Sequence, residues 1–150
     1  MNTHGHIDHI LANNDFDLPI FIHEADACYL SEAAFNLSHN VLVGRFKSKE
    51  PERLLKDNDI IKVGRLDIKV IHTPGHTPGG ICLYYNKVLF SGDTLFFGGV
   101  GRTDLPQGNE SFLLSSIKDK LFKLPDETRV YPGHGPATTI GREKKLNPFL

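Results

Sequence analysis

The chain has no tryptophan, one methionine and two cysteines among its 150 residues. Cys28 and Cys82 stand alone without C-x-x-C spacing, which argues against a disulfide framework or thiolate metal site and leaves two reduced structural thiols. An excess of either charge is also missing. Seventeen Lys and Arg against eighteen Asp and Glu leave a net charge of -1, so there is no electrostatic grip on nucleic acid or an anionic membrane. Apolar runs such as Val88-Leu89-Phe90 fall far short of the roughly 20 residues of a membrane helix. A basic leader with an apolar signal core is absent from the first residues. These absences, with 39% apolar residues, predict one soluble, cytoplasmic domain spanning residues 1–150 with a buried core of its own.

Histidine is plentiful instead. There are eight, and His4, His6 and His9 fall within six residues beside Asp8. In extended chain His4 and His6, two apart, project to one side and can grip one ion. A helix beginning near Asp8 redirects the chain, so that Asp8 and His9 reach a second ion close to the first. Nitrogen and carboxylate ligands without thiolate suit zinc, iron or manganese, and few ligands per ion leave positions open for water and substrate.

The pattern along the chain predicts a mixed α/β (α+β) domain. Asp8–Asn13 reads as a short helix, Pro19–His23 as a strand and Glu24–Leu37 as helical turns rich in alanine, followed by a loop whose most polar part is Lys47–Lys56. Ile60–Val63 and Leu66–His72 form one hairpin across Gly64-Arg65, and Gly80–Tyr85 and Val88–Ser91 a second across Asn86-Lys87. Glu110–Leu124 reads as a helix capped by Asn109, with Leu113, Ile117, Leu121 and Leu124 facing the sheet. Thr128–Tyr131 is a last strand, and Thr139 opens a final helix that Asn147-Pro148 stops.

Glycine and proline mark three strand ends, each carrying a further potential ligand: His76, Asp93 and His134. Asp93, on a tight Gly-Asp turn, has two oxygens with which to bridge two cations about 3.5 to 4 Å apart. His23, His39 and His72 read as structural, with His72 near enough to His76 in sequence to support it from behind. No G-x-S-x-G elbow appears, and Gly98-Gly99-Val100-Gly101 lacks the phosphate-cradling pattern and reads as a flexible rim of the site.

With these residues in view, the sequence resembles the metallo-β-lactamase fold superfamily, whose signature is H-x-H-x-D-H followed by a separate His, an Asp and a last His. Thr73-Pro74-Gly75-His76-Thr77-Pro78-Gly79, Ser91-Gly92-Asp93-Thr94-Leu95-Phe96 and Tyr131-Pro132-Gly133-His134-Gly135-Pro136 are similar to the glyoxalase II-like (hydroxyacylglutathione hydrolase-like) branch. The resemblance implies an αββα sandwich that here lacks the N-terminal half-sheet and presents an exposed edge or face. It implies that His4, His6 and His76 hold one ion, that Asp8, His9 and His134 hold the other, and that Asp93 joins both. Arg102 in Gly101-Arg102-Thr103-Asp104 falls about where larger relatives place a basic glutathione contact, and is either a substrate-carboxylate ligand or the partner of Asp104 in a surface ion pair.

The chemistry implied is hydrolysis of a thioester such as an S-acylglutathione. Two divalent ions, zinc first and iron or manganese next, share a water, lower its pKa and generate the hydroxide that attacks the acyl carbon, with Asp8 and Asp93 as the catalytic carboxylates. One rival is a persulfide dioxygenase of the same fold with a single iron on His4, His76 and Asp93. Another is an inactive fragment that binds metal weakly. A small thioester is the expected partner, and an uncovered sheet admits a homo-oligomer.

Overall fold

The computed structural model describes residues 1–40 and 44–150. Residues 41–43, part of the loop expected after Leu37, lie outside the described residues. A six-stranded sheet forms the centre. Its strands are β3 (Ile60–Val63), β4 (Leu66–His72), β5 (Ile81–Tyr85), β6 (Val88–Gly92), β9 (Arg129–Pro132) and β10 (Thr138–Thr139), ordered β10-β9-β6-β5-β4-β3. All neighbours are antiparallel except β6 and β9. Both expected hairpins are present. Asn86 and Lys87, both at positive φ, make the tight turn that joins β5 to β6.

Strand alternation divides the apolar residues between two cores. Ile71, Cys82, Leu89 and Val130 face one side, against Leu113 and Ile117 of α2 (Glu110–Asp119) and Ile140 of α3 (Ile140–Leu146). Val70, Ile81 and Leu83 face the other, with Leu55 from a small parallel sheet of β1 (Phe21–His23) and β2 (Arg53–Leu55). Beyond it, Ile7 and Ile10 of α1 (Ile7–Ile10) pack with Ile20, Ile22 and Leu30. The second face continues past Leu83 to Phe90 and Tyr131, which stack at 5.7 Å and remain 49% and 41% exposed.

Four local expectations change. The polar stretch read as loop contains β2, because a strand that pairs through its backbone needs only one apolar anchor, here Leu55. Helix α2 stops at Asp119 and continues as a tight turn over Leu121–Lys123, since Pro125 forces Leu124 into extended backbone. Glu24–Leu30 is a 3-10 helix, in which residues three apart eclipse; Asp26 and Tyr29, both fully buried, thereby share one face. Finally, the glycine run read as a flexible rim is half of a paired hairpin, β7 (Leu95–Phe96) with β8 (Gly99–Val100). No helix among the described residues is long and apolar enough to cross a membrane.

Candidate metal centre

The N-terminal segment is tied down on every side. Asn2 donates its backbone N–H to Phe21 O and its side chain to His9 O, Thr3 O accepts from Ile81 N–H at the start of β5, and Gly5 N–H donates to Asp26. His4 and His6 are thereby both buried. Helix α1 begins directly after the extended His6, and its apolar residues Ile7 and Ile10 fix its roll so that Asp8 points to solvent and His9 is half-buried.

The other ligand candidates come from loops at strand ends. His76 sits in the turn between β4 and β5, held by α2: Asn109 N–H donates to Gly75 O at 2.7 Å and Ser116 Oγ to Pro74 O at 2.9 Å. Its Nδ1 donates to Arg102 O at 2.8 Å, which leaves Nε2 turned inward as a lone-pair donor. Asp93 follows β6 and His134 follows β9, the two parallel neighbours, so adjacency in the sheet brings these distant residues together.

All seven side chains converge. Three sets have ligand atoms mutually within 4.8 Å: His4, His6 and His76; Asp8, His9 and His134; and His4, His9 and Asp93. Asp93 spans the first two sets, with Oδ1 3.4 Å from His9 Nε2 and Oδ2 3.7 Å from His76 Nε2 and 3.5 Å from His134 Nε2. Asp8 Oδ2 lies 3.0 Å from His134 Nε2. The first set is buried, whereas Asp8 and His134 are exposed, so one half of the centre is closed and the other opens outward.

These groups satisfy one another only in part. His6 Nδ1 and His76 Nε2 face each other at 2.9 Å, and His9 and His134 oppose their Nε2 atoms at 3.4 Å. Among the described residues His4 Nε2, His6 Nε2 and Asp93 Oδ1 are buried with no partner. An unsatisfied buried polar atom costs about 1–3 kcal/mol, and three of them among converging ligand side chains are what cations would satisfy. Burial, reinforced by the neighbouring imidazoles, holds His4 well below the ordinary histidine range and His6 at about 4, so both present free lone pairs near neutral pH. Burial also lowers His76, against the pull of Arg102 O and Asp93, and raises Asp93, against its three histidines.

A cavity of about 380 Å³ opens over the centre. Leu37, Phe96, Val100 and Leu105 supply apolar wall, and Arg102 stands at its edge. The Arg102 guanidinium is engaged by Asp104, Nε to Oδ1 at 2.8 Å and Nη2 to Oδ2 at 2.7 Å. His23, His39 and His72 lie apart from the seven: His23 stacks on His72, His72 Nε2 donates to Pro78 O, and His39 Nδ1 to Ala33 O. Both cysteines are free thiols. Sequence reasoning missed Asp26 and Glu143, which no local motif distinguishes.

Residues 1–134 match the family described as Metallo-beta-lactamase superfamily. Hydroxyacylglutathione hydrolase GloC of Haemophilus influenzae is 38% identical over 155 residues, covering 99% of this chain and 73% of that protein. The crystal structure of BLEG-1 B3 metallo-beta-lactamase superposes with a TM-score of 0.91 at 41% identity, covering 99% of this chain and 74% of the other. That of TTHA1623 in a di-iron-bound form gives 0.85 at 39% identity, covering 99% and 75%.

Proposed function

The chain belongs to the metallo-β-lactamase superfamily, and from that membership we propose that it hydrolyses a small thioester, of the S-acylglutathione class, at a centre of two divalent ions. The observation that carries the reading is the convergence of seven donors with three orphaned, buried ligand atoms among them. Zinc or iron fits an all-imidazole and carboxylate donor set; a relative 39% identical is described in a di-iron-bound form. His4, His6 and His76 would hold one ion, Asp8, His9 and His134 the other, and Asp93 both. When bound, such ions supply Lewis acidity toward a carbonyl and acidify a water.

The chain's own residues do the rest. Asp8, exposed on the open half, faces the cavity and is placed to orient a water toward substrate. Leu37, Phe96, Val100 and Leu105 exclude solvent around the acyl group. Arg102 holds a substrate carboxylate at the rim. The thiolate released is a good leaving group and asks for little acid assistance, which suits a cavity whose buried polar lining, His6 and His76, is taken up as candidate metal ligands.

A relative named hydroxyacylglutathione hydrolase supports the thioester class. A dioxygenase built on His4, His76 and Asp93 alone would leave His6, Asp8, His9 and His134 convergent without a task. The test is elemental analysis of the zinc- or iron-loaded chain together with a thioester assay. Two ions per chain and saturable release of glutathione are expected. One iron with oxygen consumption on a persulfide, or neither ion nor turnover, overturns the reading.

A further inference from the structure

Behind the closed half of the centre lies a carboxylate that touches none of the seven donors. Asp26 is 0% exposed and, among the described residues, forms no salt bridge. It is satisfied by three donors from two distant loops: Oδ2 accepts from Gly5 N–H at 3.0 Å and Thr77 Oγ1 at 2.7 Å, and Oδ1 accepts from Gly79 N–H at 2.6 Å. Gly5 is the residue between His4 and His6, and Thr77 directly follows His76. A single side chain therefore fastens the peptide between two candidate ligands to the neighbour of the third.

The approach is close and depends on glycine. A Cβ at Gly79 would stand 2.6 Å from Asp26 Oδ1, and one at Gly5 would run into the Tyr29 side chain. The 3-10 winding of Glu24–Leu30 makes both contacts at once, since it stacks Asp26 and Tyr29 on the face turned to the two loops. Among the described residues no buried carboxylate ties two ligand loops together behind the open half, where the Asn2 side chain bonds only His9 O among the candidate ligands. Asp8 and His9 take their position from the packing of Ile7 and Ile10, and His134 from β9.

We propose that Asp26 is the positioning residue of the closed half-site, fixing the spacing of His4 and His6 against His76 and so setting the affinity of that half for its ion. The assignment rests on the two-ion reading above. It requires a carboxylate rather than an amide. Asn can turn its oxygen to either side, but its NH2 then faces a backbone N–H, of Gly79 or of Gly5, and one loop is released.

The experiment uses zinc as probe, with chelator competition for the two affinities and NMR of the imidazole nitrogens to tell which histidines each ion engages. In the Asp26→Asn variant the affinity at His4, His6 and His76 is expected to fall about 10- to 100-fold, the usual consequence of removing an outer support, with the Asp8, His9 and His134 half changed less than threefold. Thr77→Val removes one of the three bonds, keeps the carboxylate and leaves two donors in place. A smaller loss at the same half is expected, and this variant decides the matter if Asp26→Asn does not fold. Unchanged zinc affinity in folded variants, or equal weakening of both halves, overturns the assignment alone. Wild-type chain that binds no zinc overturns the two-ion reading and the assignment with it.

Discussion

Gly133 lies so close to Asp93 that a Cβ there would overlap carboxylate Oδ1 and press on His9 Cε1 at 2.8 Å. The glycine at this position is required by space. Replacement by Ala must displace the Asp93 carboxylate, His9 or both, because Gly133 N–H is itself bonded to Gly92 O at 2.9 Å and cannot easily retreat. Overpacking of this kind costs about 1–3 kcal/mol. Gly133→Ala is expected to fold with a lowered melting temperature and to lose at least tenfold in zinc affinity. Gly135→Ala is the control: its φ of 81° strains an L residue, but no atom stands within 4 Å, so both ions should remain. Equal zinc binding by the two variants would contradict the assignment of Asp93 as the shared ligand.

His23 and His72 stack with ring centroids 3.9 Å apart and planes 13° from parallel. Burial first, and then the charge His72 would carry, lower His23 from 6.5 to about 4. Its folded pKa lies below its unfolded one, so the stability it contributes is complete above pH 6.5 and is lost as the pH falls toward 4. After discounting for solvent screening, the loss is on the order of 2 kcal/mol. Urea melts of metal-free chain should show stability falling across that window. His23→Asn keeps an acceptor for the Ala25 N–H that His23 Nδ1 now caps, and is expected to flatten the slope in part, since His4, His6 and His76 shift in the same direction. An unaltered slope would mean that His23 does not titrate in this range.

What the sequence showed of this site follows from where the ligands sit. Each candidate lies in a run with its own local reason, either the H-x-H-x-D-H cluster or a glycine-marked strand end, and such runs are legible without knowing the fold. The two hairpins were legible too, because β-rich runs flank the two-residue turns Gly64-Arg65 and Asn86-Lys87. Asp26 was not. Its partners are 21 to 53 residues away, and an aspartate in an alanine-rich turn looks like any surface residue until the loops that enclose it are in place. The strands β2, β7, β8 and β10 were missed for a related reason: their two or three residues are fixed by neighbours that only the tertiary structure supplies.

The β7–β8 hairpin carries Phe96 over the cavity, and it is staked from behind by α3. Glu143, wholly buried, accepts from Gly98 N–H at 2.9 Å, from Asn147 Nδ2 at 2.9 Å, from Thr138 Oγ1 and from Arg142 Nη1; Asn147 Nδ2 also reaches Gly99 O at 3.0 Å. Arg142 covers the ring of Phe97 at 3.6 Å. Removing the carboxylate strands several buried donors, so Glu143→Ala is expected to cost roughly 3 kcal/mol in urea unfolding. At temperatures where it remains folded, KM for an apolar acyl thioester should rise severalfold, because the wall around the acyl group loosens. Zinc stoichiometry should not change, since no ligand depends on Glu143. Loss of zinc in this variant would show that the hairpin and the metal centre are one cooperative unit.

Arg102 serves two masters at the rim of the cavity, and their separation gives opposite signs. Its carbonyl oxygen takes the Nδ1 proton of His76, a bond that side-chain replacement leaves intact. Its guanidinium is held through Nε and Nη2 by Asp104, in an exposed pair that contributes little to stability. If the guanidinium binds a substrate carboxylate, Arg102→Met should leave the melting temperature and kcat unchanged while KM for a carboxylate-bearing thioester rises about fivefold, the mark of lost binding that is uniform along the reaction. Asp104→Asn should do the reverse, because it frees the cation from its competitor and lowers KM. Salt should raise KM in the wild type more than in the Arg102 variant. A neutral acyl thioester should be indifferent to both substitutions; if it responds as the charged one does, Arg102 acts on the shape of the rim rather than on charge.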